Sequence, residues 1–447
     1  MKIRKDVINL AVPIMIEQTF VMLLGMCNTM MAGHIGEEAV SAIGMVDSVN
    51  NMFISFFAAL SVGATVVVAQ QIGQDNYKKA NETAKQAIVS GLLVSTLITL
   101  ILWILRIQFI NVLYGGAEEL VKIDAKLYFE FTLITYPFIA IEQIANGILR
   151  GCGDTKTPMK ISIFMNVINI ILGYILIFGI DAIGVPSFGI EGAALAIACA
   201  RFAGTIVIMY ILFKGDKVIK IENIHKFKFD MNIQFNIFNI GIPAGMEQVI
   251  FNAGKLIVQM FIVTMGTASI AANAIGMSIS QIINVAGNAL CLAATTLVGQ
   301  YVGKDDIKGA KETLIYLVKT GTTLLVLAGI IFMPIAPMVS GLYTDSSEVI
   351  KISTRLIRSN NIALIAWGMS FIMSAGLKGA GDTRYTMVTS FIGMWLFRIV
   401  FGYILGIKLN LGVFGVWVAM YMDWIVRGAM YCIRIRGDKW IAHRVKG

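Results

Sequence analysis

Charge is scarce in this sequence. Only 14% of its 447 residues are Asp, Glu, Lys or Arg, against roughly 25% in ordinary soluble domains. With 57% hydrophobic residues, this excludes the two or three soluble domains that length alone would suggest. Histidine is nearly missing: His34, His225 and His443 are too dispersed for a metal site. No HExxH and no Ser-His-Asp set occurs, and Asp and His do not cluster at one end of the apolar runs, which argues against a membrane-embedded enzyme such as a lipid-modifying transferase. The five cysteines (Cys27, Cys152, Cys199, Cys291, Cys432) lack CxxC spacing and lie in or beside apolar runs. They read as small buried residues, not as a disulfide or metal framework. GQYVGKD, Gly299 to Asp305, faintly suggests a phosphate loop, but three residues separate its glycines and Asp305 replaces the required Ser or Thr. Without an ATPase signature, energy must come from elsewhere.

What the chain has instead is long apolar runs. Six fall near 8–33, 46–70, 86–106, 127–149, 158–180 and 189–213. Six more fall near 236–265, 275–301, 313–338, 355–377, 385–407 and 412–433. Each can cross a hydrocarbon core of about 30 Å, which takes about 20 residues as helix. Backbone in lipid must satisfy itself, so these are helices, and no ten-residue alternation suggests a barrel. The expected fold is an all-α polytopic membrane protein with twelve transmembrane helices. The N-terminus is basic and then apolar like a signal peptide, but the run is too long, contains Pro13 and lacks a small-x-small cleavage site. It is expected to stay as the first helix.

With twelve spans both termini share a side. That side receives 24 Lys and Arg, while the other has only Arg106, Lys122, Lys126, Lys351, Arg355, Arg358 and Lys408. The positive-inside rule puts both termini in the cytoplasm. The net charge of +9 is then topology and attraction to anionic headgroups rather than nucleic-acid binding.

The chain is also one half written twice. TVVVAQQIGQDNYKKANET from Thr65 matches TTLVGQYVGKDDIKGAKET from Thr295, with Gln70, Gly73, Asp75, Ala80 and Glu82 recurring 230 residues later. NLAVPIMIEQ from Asn9 recurs as NIGIPAGMEQ from Asn239, and LRGCGDTKTPM from Leu149 as LKGAGDTRYTM from Leu377. Six helices per half is an even number, so the repeat is parallel, related by an axis along the membrane normal. Expected domains are an N-terminal six-helix bundle (1–213), a polar cytoplasmic linker (214–235), and a C-terminal six-helix bundle with a short tail (236–447). In GCGDT and GAGDT the glycines permit a tight reversal, and Asp154 or Asp382 can cap the next helix.

These residues resemble the MATE family of multidrug and toxin extrusion transporters. The resemblance rests on the paired L[RK]GxGDT hairpins, the VAQQIGQ and VGQYVGK segments, and MAGHIGEEAVSAIG after the first run, and it covers essentially the whole chain. It implies no cofactor and a secondary transporter that exports amphipathic, often cationic, drugs and toxins in exchange for Na⁺ or H⁺. Substrate would bind between the bundles, with access alternating as they rock. The expected partners are those small molecules and membrane lipids, with no nucleic acid; the expected form is a monomer in the plasma membrane. Two positions depart from the family. Many relatives have Asp in the first helix where NTMMAG here has Asn28, and several sodium-coupled relatives have Glu eight residues after the proline of the seventh, where this chain has Phe251. Neither coupling-ion assignment carries over directly. Multidrug specificity rests on the resemblance too, because 25 Met and 25 Phe are ordinary membrane core fillers.

Intramembrane polar residues supply the candidates, since a charge there usually faces a cavity or a partner. Glu17 falls near mid-depth of the first run and Glu247 comparably in the seventh. Pro13 and Pro243 release the carbonyls of Asn9 and Asn239 beside them. One reading makes each Glu a carboxylate that takes H⁺ or Na⁺ in exchange for substrate. The other makes it an anchor, hydrogen-bonded to neighbouring amides within its own bundle. Glu142 has no acidic twin in the second half. The cation or substrate set is therefore Glu17, Asn28, Glu142, Asn166, Asn169 and Glu247, with any Na⁺ near Glu17 and the cation site in the N-terminal half. A Na⁺ site would take carboxylate and amide oxygens, whereas protonation needs a single desolvated carboxyl. The second half has its own cations, Lys255, Arg398 and Arg427, beside Glu247 and Asp423, and internal salt bridges are expected for Arg398 and Asp423. The alternative function is a lipid-linked oligosaccharide flippase on a related fold, which would line its cavity with several cations.

Overall fold

The apolar runs fold as helices because backbone in hydrocarbon has only its own groups to bond. The computed structural model describes residues 2–114, 118–179, 184, 186–215, 219–222 and 227–441, and among these there is no strand. Lys217, Lys226, His225, His443, Arg444 and Lys446 lie outside the described residues. The first half comprises α1 (Lys2–Gly33), α2 (Glu37–Gly73), α3 (Tyr77–Tyr114), α4 (Glu119–Ile134), α5 (Tyr136–Gly151), α6 (Lys156–Phe178) and α7 (Gly189–Lys214). The second comprises α8 (Met231–Val263), α9 (Thr267–Gly303), α10 (Ile307–Gly341), α11 (Ser347–Gly379), α12 (Thr383–Phe391), α13 (Phe401–Tyr403) and α14 (Gly412–Arg436).

All twelve runs read from the sequence are helical, and among the described residues ten helices are long and apolar enough to cross a membrane unaided. The other two have local causes. The fourth run is broken at Thr135 into α4 and α5, because Pro137 at the start of α5 offers no N–H to continue the ladder. In α14 the buried Asp423 and Arg427 interrupt the apolar sequence. The eleventh run is irregular too. Between α12 and α13 lies a π-helical stretch, Ile392–Val400, and after α13 a second, Ile404–Lys408. Such turns rotate side chains off the helical register and are frequent at functional sites.

The repeat is written in the backbone as well. Left-handed residues recur in register: Gly36 and Gly266 (φ 151° and 92°), Asp75 and Asp305 (55° and 62°), Gly153 and Gly381 (88° and 91°). Asp is tolerated there because its short side chain can bond locally. Asp154 caps α6 as expected, accepting from the Thr157 amide at 3.0 Å and its hydroxyl at 2.6 Å. Asp382 differs, since it makes no cap bond to α12 and instead accepts from Arg434 Nε at 2.7 Å and Nη2 at 3.2 Å.

Two compact units result. The N-terminal unit is Ile16–Val68 with Asn76–Gly241. Its core gathers Phe57, Phe129, Leu133 and Tyr136 around α2, α4 and α5. The C-terminal unit is Ile242–Gly447 with Met1–Met15 and Ala69–Asp75. Its core gathers Trp417, Tyr431 and Trp440, and it includes Val7, Leu10 and Ala11 of α1. Two short N-terminal segments thus belong with the second half, and the division falls inside α8, not in the linker. Within the C-terminal unit the VAQQIGQ and VGQYVGK segments meet. A carbon added at Gly73 would strike the Gln300 carbonyl, and one added at Gly303 the Gln70 carbonyl. Gln70 Nε2 also donates to the Gly379 carbonyl at 3.0 Å. The GQYVGK glycines therefore serve a helix crossing at the end of α9, not a phosphate loop.

Candidate functional site

The repeated Glu of NxxxPxxxEQ has a repeated partner. In the N-terminal unit Arg150 Nη2, from the last turn of α5, donates to Glu17 Oε1. In the C-terminal unit Lys378 Nζ, from the last turn of α11, donates to Glu247 Oε1 at 3.0 Å. Arg150 and Lys378 are the basic residues of the two matched hairpin motifs, so each half joins the Glu of its first helix to its own LRG or LKG. The anchor is a charged base, not a neighbouring amide, and it sets Glu17 level with the end of α5. Glu247 is saturated further by Thr386 Oγ1 and Ser390 Oγ, both donating at 3.0 Å. Glu17 Oε2 and Arg150 Nε are buried with no other partner among the described residues.

The remaining N-terminal candidates divide into two neighbourhoods. Asn169 Nδ2 of α6 donates to Asn28 Oδ1 of α1 at 3.1 Å. Both line a cavity of about 190 Å³ together with Asp47 of α2 and Tyr128 of α4. Asp47 Oδ1 accepts from Asn50 Nδ2 at 3.3 Å and from the Tyr128 hydroxyl at 3.5 Å. Glu142, two turns past the α4–α5 break, accepts from Asn146 Nδ2 at 3.3 Å. Arg201 of α7 donates to Thr135 Oγ1 at 2.8 Å, at the break itself, and lies within electrostatic reach of both Asp47 and Glu142. Neither carboxylate is ion-paired among the described residues. Asn166 is buried with its Nδ2 unpartnered and does not line the cavity. Glu17 does not line it either.

The C-terminal unit balances its acids in another way. Besides Glu247–Lys378, Arg427 of α14 grips Asp423 through Nε at 2.7 Å and Nη2 at 3.2 Å. Asp423 is thus paired as expected, but its partner is the Arg one turn away on its own helix. Arg398 has no ion pair among the described residues. No group of three His, Cys, Asp or Glu is placed to hold a metal among those residues, so a bound Na⁺ would rest on at most two carboxylates together with neutral oxygens.

A MatE family model matches residues 13–175 and matches again over 243–404. The chain belongs to the MATE family. The two matches start at equivalent points of the internal repeat, so each half of this MATE-family chain is one copy of the family unit. A Thermotoga maritima protein described as a probable multidrug resistance protein NorM is 29% identical, over 98% of this chain and 93% of its own. The Vibrio vulnificus multidrug resistance protein NorM is 22% identical, over 96% of this chain and 94% of its own. Among solved structures, the outward-facing conformation of a multidrug resistance MATE family transporter of the MOP superfamily superposes with TM-score 0.91 at 22% identity, covering 99% and 97% of the two chains. A MOP superfamily transporter from Pyrococcus furiosus, described as having a binding pocket of reverse polarity that suggests a different function, superposes with TM-score 0.89 at 23% identity, covering 99% and 97%.

Sequence reading of this MATE-family chain missed Asp47, Tyr128 and Arg201. Asp47 falls one residue inside the second run and passes for an interfacial acid. Arg201 falls at the middle of the sixth run, but the sequence reading places interior cations in the second half alone. One signal was available for the ion pairs: Glu and its base recur together, Glu17 with Arg150 and Glu247 with Lys378.

Proposed function

We propose that this chain is a multidrug efflux transporter of the plasma membrane. It exports amphipathic drug-like compounds, cationic ones among them, by antiport with Na⁺ or H⁺, and access alternates between its two halves. Both termini lie in the cytoplasm, on the side rich in Lys and Arg. The names of the relatives support drug efflux, and the lack of an ATPase signature leaves an ion gradient to drive it.

The observation that carries the coupling assignment is a charge imbalance inside the N-terminal unit. Asp47 and Glu142 both lie within electrostatic reach of Arg201, Glu142 also within reach of the Glu17–Arg150 pair whose charges offset, and neither carboxylate forms an ion pair among the described residues. The unit keeps one negative charge too many where an uncompensated ion costs about 2.5–3.5 kcal/mol or more. A proton or a Na⁺ corrects it. Asp47 faces the cavity that also presents Asn28 and Asn169, so a hard cation entering there meets one carboxylate and two amides. Glu17 and Glu247 already hold bases and serve as scaffold.

The test is export of an amphipathic dye from membrane vesicles energised by a Na⁺ gradient alone or by a pH gradient alone. One gradient should drive export, and Glu142→Gln should weaken its effect. Export indifferent to both gradients would overturn the antiport reading.

A further inference from the structure

The charge imbalance of the C-terminal unit runs the other way. Three cations surround one ring: Lys255 Nζ lies 5.0 Å from the Phe251 centroid, Arg427 Cζ 5.4 Å and Arg398 Cζ 5.5 Å. Asp423 forms its ion pair with Arg427 and reaches Arg398 only through space. Arg398 is 5% exposed, and its Nη1 is buried with no hydrogen-bond partner. Lys255 has no ion pair among the described residues. A ring face offers a cation about 0.5–2 kcal/mol, too little to balance two unpaired charges in a membrane span.

The surroundings indicate what completes the set. Gln248, Asn252, Lys255 and Gln259 are spaced four, three and four residues apart, which puts them on one face of α8. Lys255 and Gln259 are exposed and the other two half-buried. A separate stripe of α8, Met246, Val249, Leu256 and Met260, is exposed and apolar as lipid requires. Gln259 Oε1 accepts from Asn273 Nδ2 of α9 at 3.3 Å, and the rest of the polar face addresses water or a ligand. Arg398 sits in the π-helical stretch Ile392–Val400, which turns it off the ordinary helical register.

We propose that Lys255 and Arg398 form a docking site for the single anionic group of an aromatic amphiphile, a carboxylate or sulfonate, whose ring packs beside Phe251. This deepens the proposed function, on which it rests, by naming a substrate class: compounds that carry an anion on a flat apolar body, zwitterions included. The guanidinium offers paired donors to a carboxylate and Lys255 a point charge at the mouth. The aromatic wall selects a ring over an isoprenyl chain.

The test titrates the purified chain in nanodiscs with three naphthalenes alike in body and different in charge: 2-naphthoate, methyl 2-naphthoate and N,N,N-trimethyl-2-naphthylammonium. Naphthoate should bind at least tenfold tighter than the other two. Arg398→Gln should erase that preference and Arg398→Lys restore part of it. Lys255→Gln should weaken naphthoate severalfold; its side chain is exposed and has no hydrogen bond or ion pair among the described residues, so this variant reads the site even if Arg398→Gln does not fold. Equal or tighter binding of the cation by the wild type would overturn the proposal, as would no binding of any probe. Farnesyl diphosphate displacing naphthoate at lower concentration would replace it with a lipid-phosphate site. None of these outcomes bears on gradient-driven export, which the vesicle assay reads separately.

Discussion

Replacing Glu17 by Gln should cost stability before it costs coupling. The pair it belongs to is nearly dry, with side-chain exposures of 6% for Glu17 and 12% for Arg150. Among the described residues Arg150 Nε and Glu17 Oε2 have no second hydrogen-bond partner, so the variant leaves a buried guanidinium without an ion pair, answered only from a distance by Glu142. Breaking such a pair from one side costs about 3–5 kcal/mol, whereas replacing both partners with apolar residues of similar volume is often neutral or stabilising. In a unit of about 200 residues each kcal/mol moves the midpoint by about 2–4 °C, so Glu17→Gln should lower Tm by on the order of 10 °C. Arg150→Met should do the same, and the Glu17→Met, Arg150→Met double variant should recover most of the loss. Fluorescence-detected size exclusion after a heating series measures these proteins together with the Glu17→Met single variant, which closes the double-mutant cycle that isolates the pair. A Glu17→Gln protein as heat-stable as the wild type but unable to use a gradient would refute this reasoning, because Glu17 would then carry the ion.

Three further outcomes are expected. Gly303→Val drives a side chain into the Gln70 carbonyl, and backbone cannot turn away. The Ala69–Asp75 segment should then leave the C-terminal unit, making a cysteine placed at the buried Ala69 reactive to maleimide in that variant and protected in its parent; protection in both would refute the crossing. Asp154→Ala removes a helix cap worth about 1 kcal/mol, whereas Asp382→Ala strands Arg434, which is 19% exposed. The second substitution should lower Tm more, and the reverse order would contradict the two different roles. Lys378→Met should destabilise less than Glu247→Gln, since it leaves Glu247 the Thr386 and Ser390 hydroxyls, a difference the same heating series resolves.

The helices were legible because apolar length is a one-dimensional signal, and the repeat because its register holds across both halves. Where spans failed on their own measure, single residues explain it: Pro137 split the fourth, and Asp423 with Arg427 diluted the twelfth. The π-helical turns around Arg398 have no period in the sequence to betray them. For the site, intramembrane acids and amides were visible but their partners were not. Asn28 and Asn169 were placed in one set, and they do meet. Glu17 was placed with them, although its base lies in a hairpin motif 133 residues away. Asp47 escaped because position along a run says little about which face of a helix closes a cavity. The sequence reading of an acidic first half omitted Arg150 and Arg201, which lie among its acids, and only the geometry separates paired charges from unpaired ones.

The account stands on the uncompensated charge of the N-terminal unit. The most direct measurement is gradient-driven dye export by Asp47→Asn in vesicles, run beside Glu247→Gln at matched levels of folded protein. Asp47→Asn should still bind dye but export it at a rate independent of the driving gradient, while Glu247→Gln keeps the dependence. Full gradient dependence in Asp47→Asn, or its loss only in Glu247→Gln, would contradict the account.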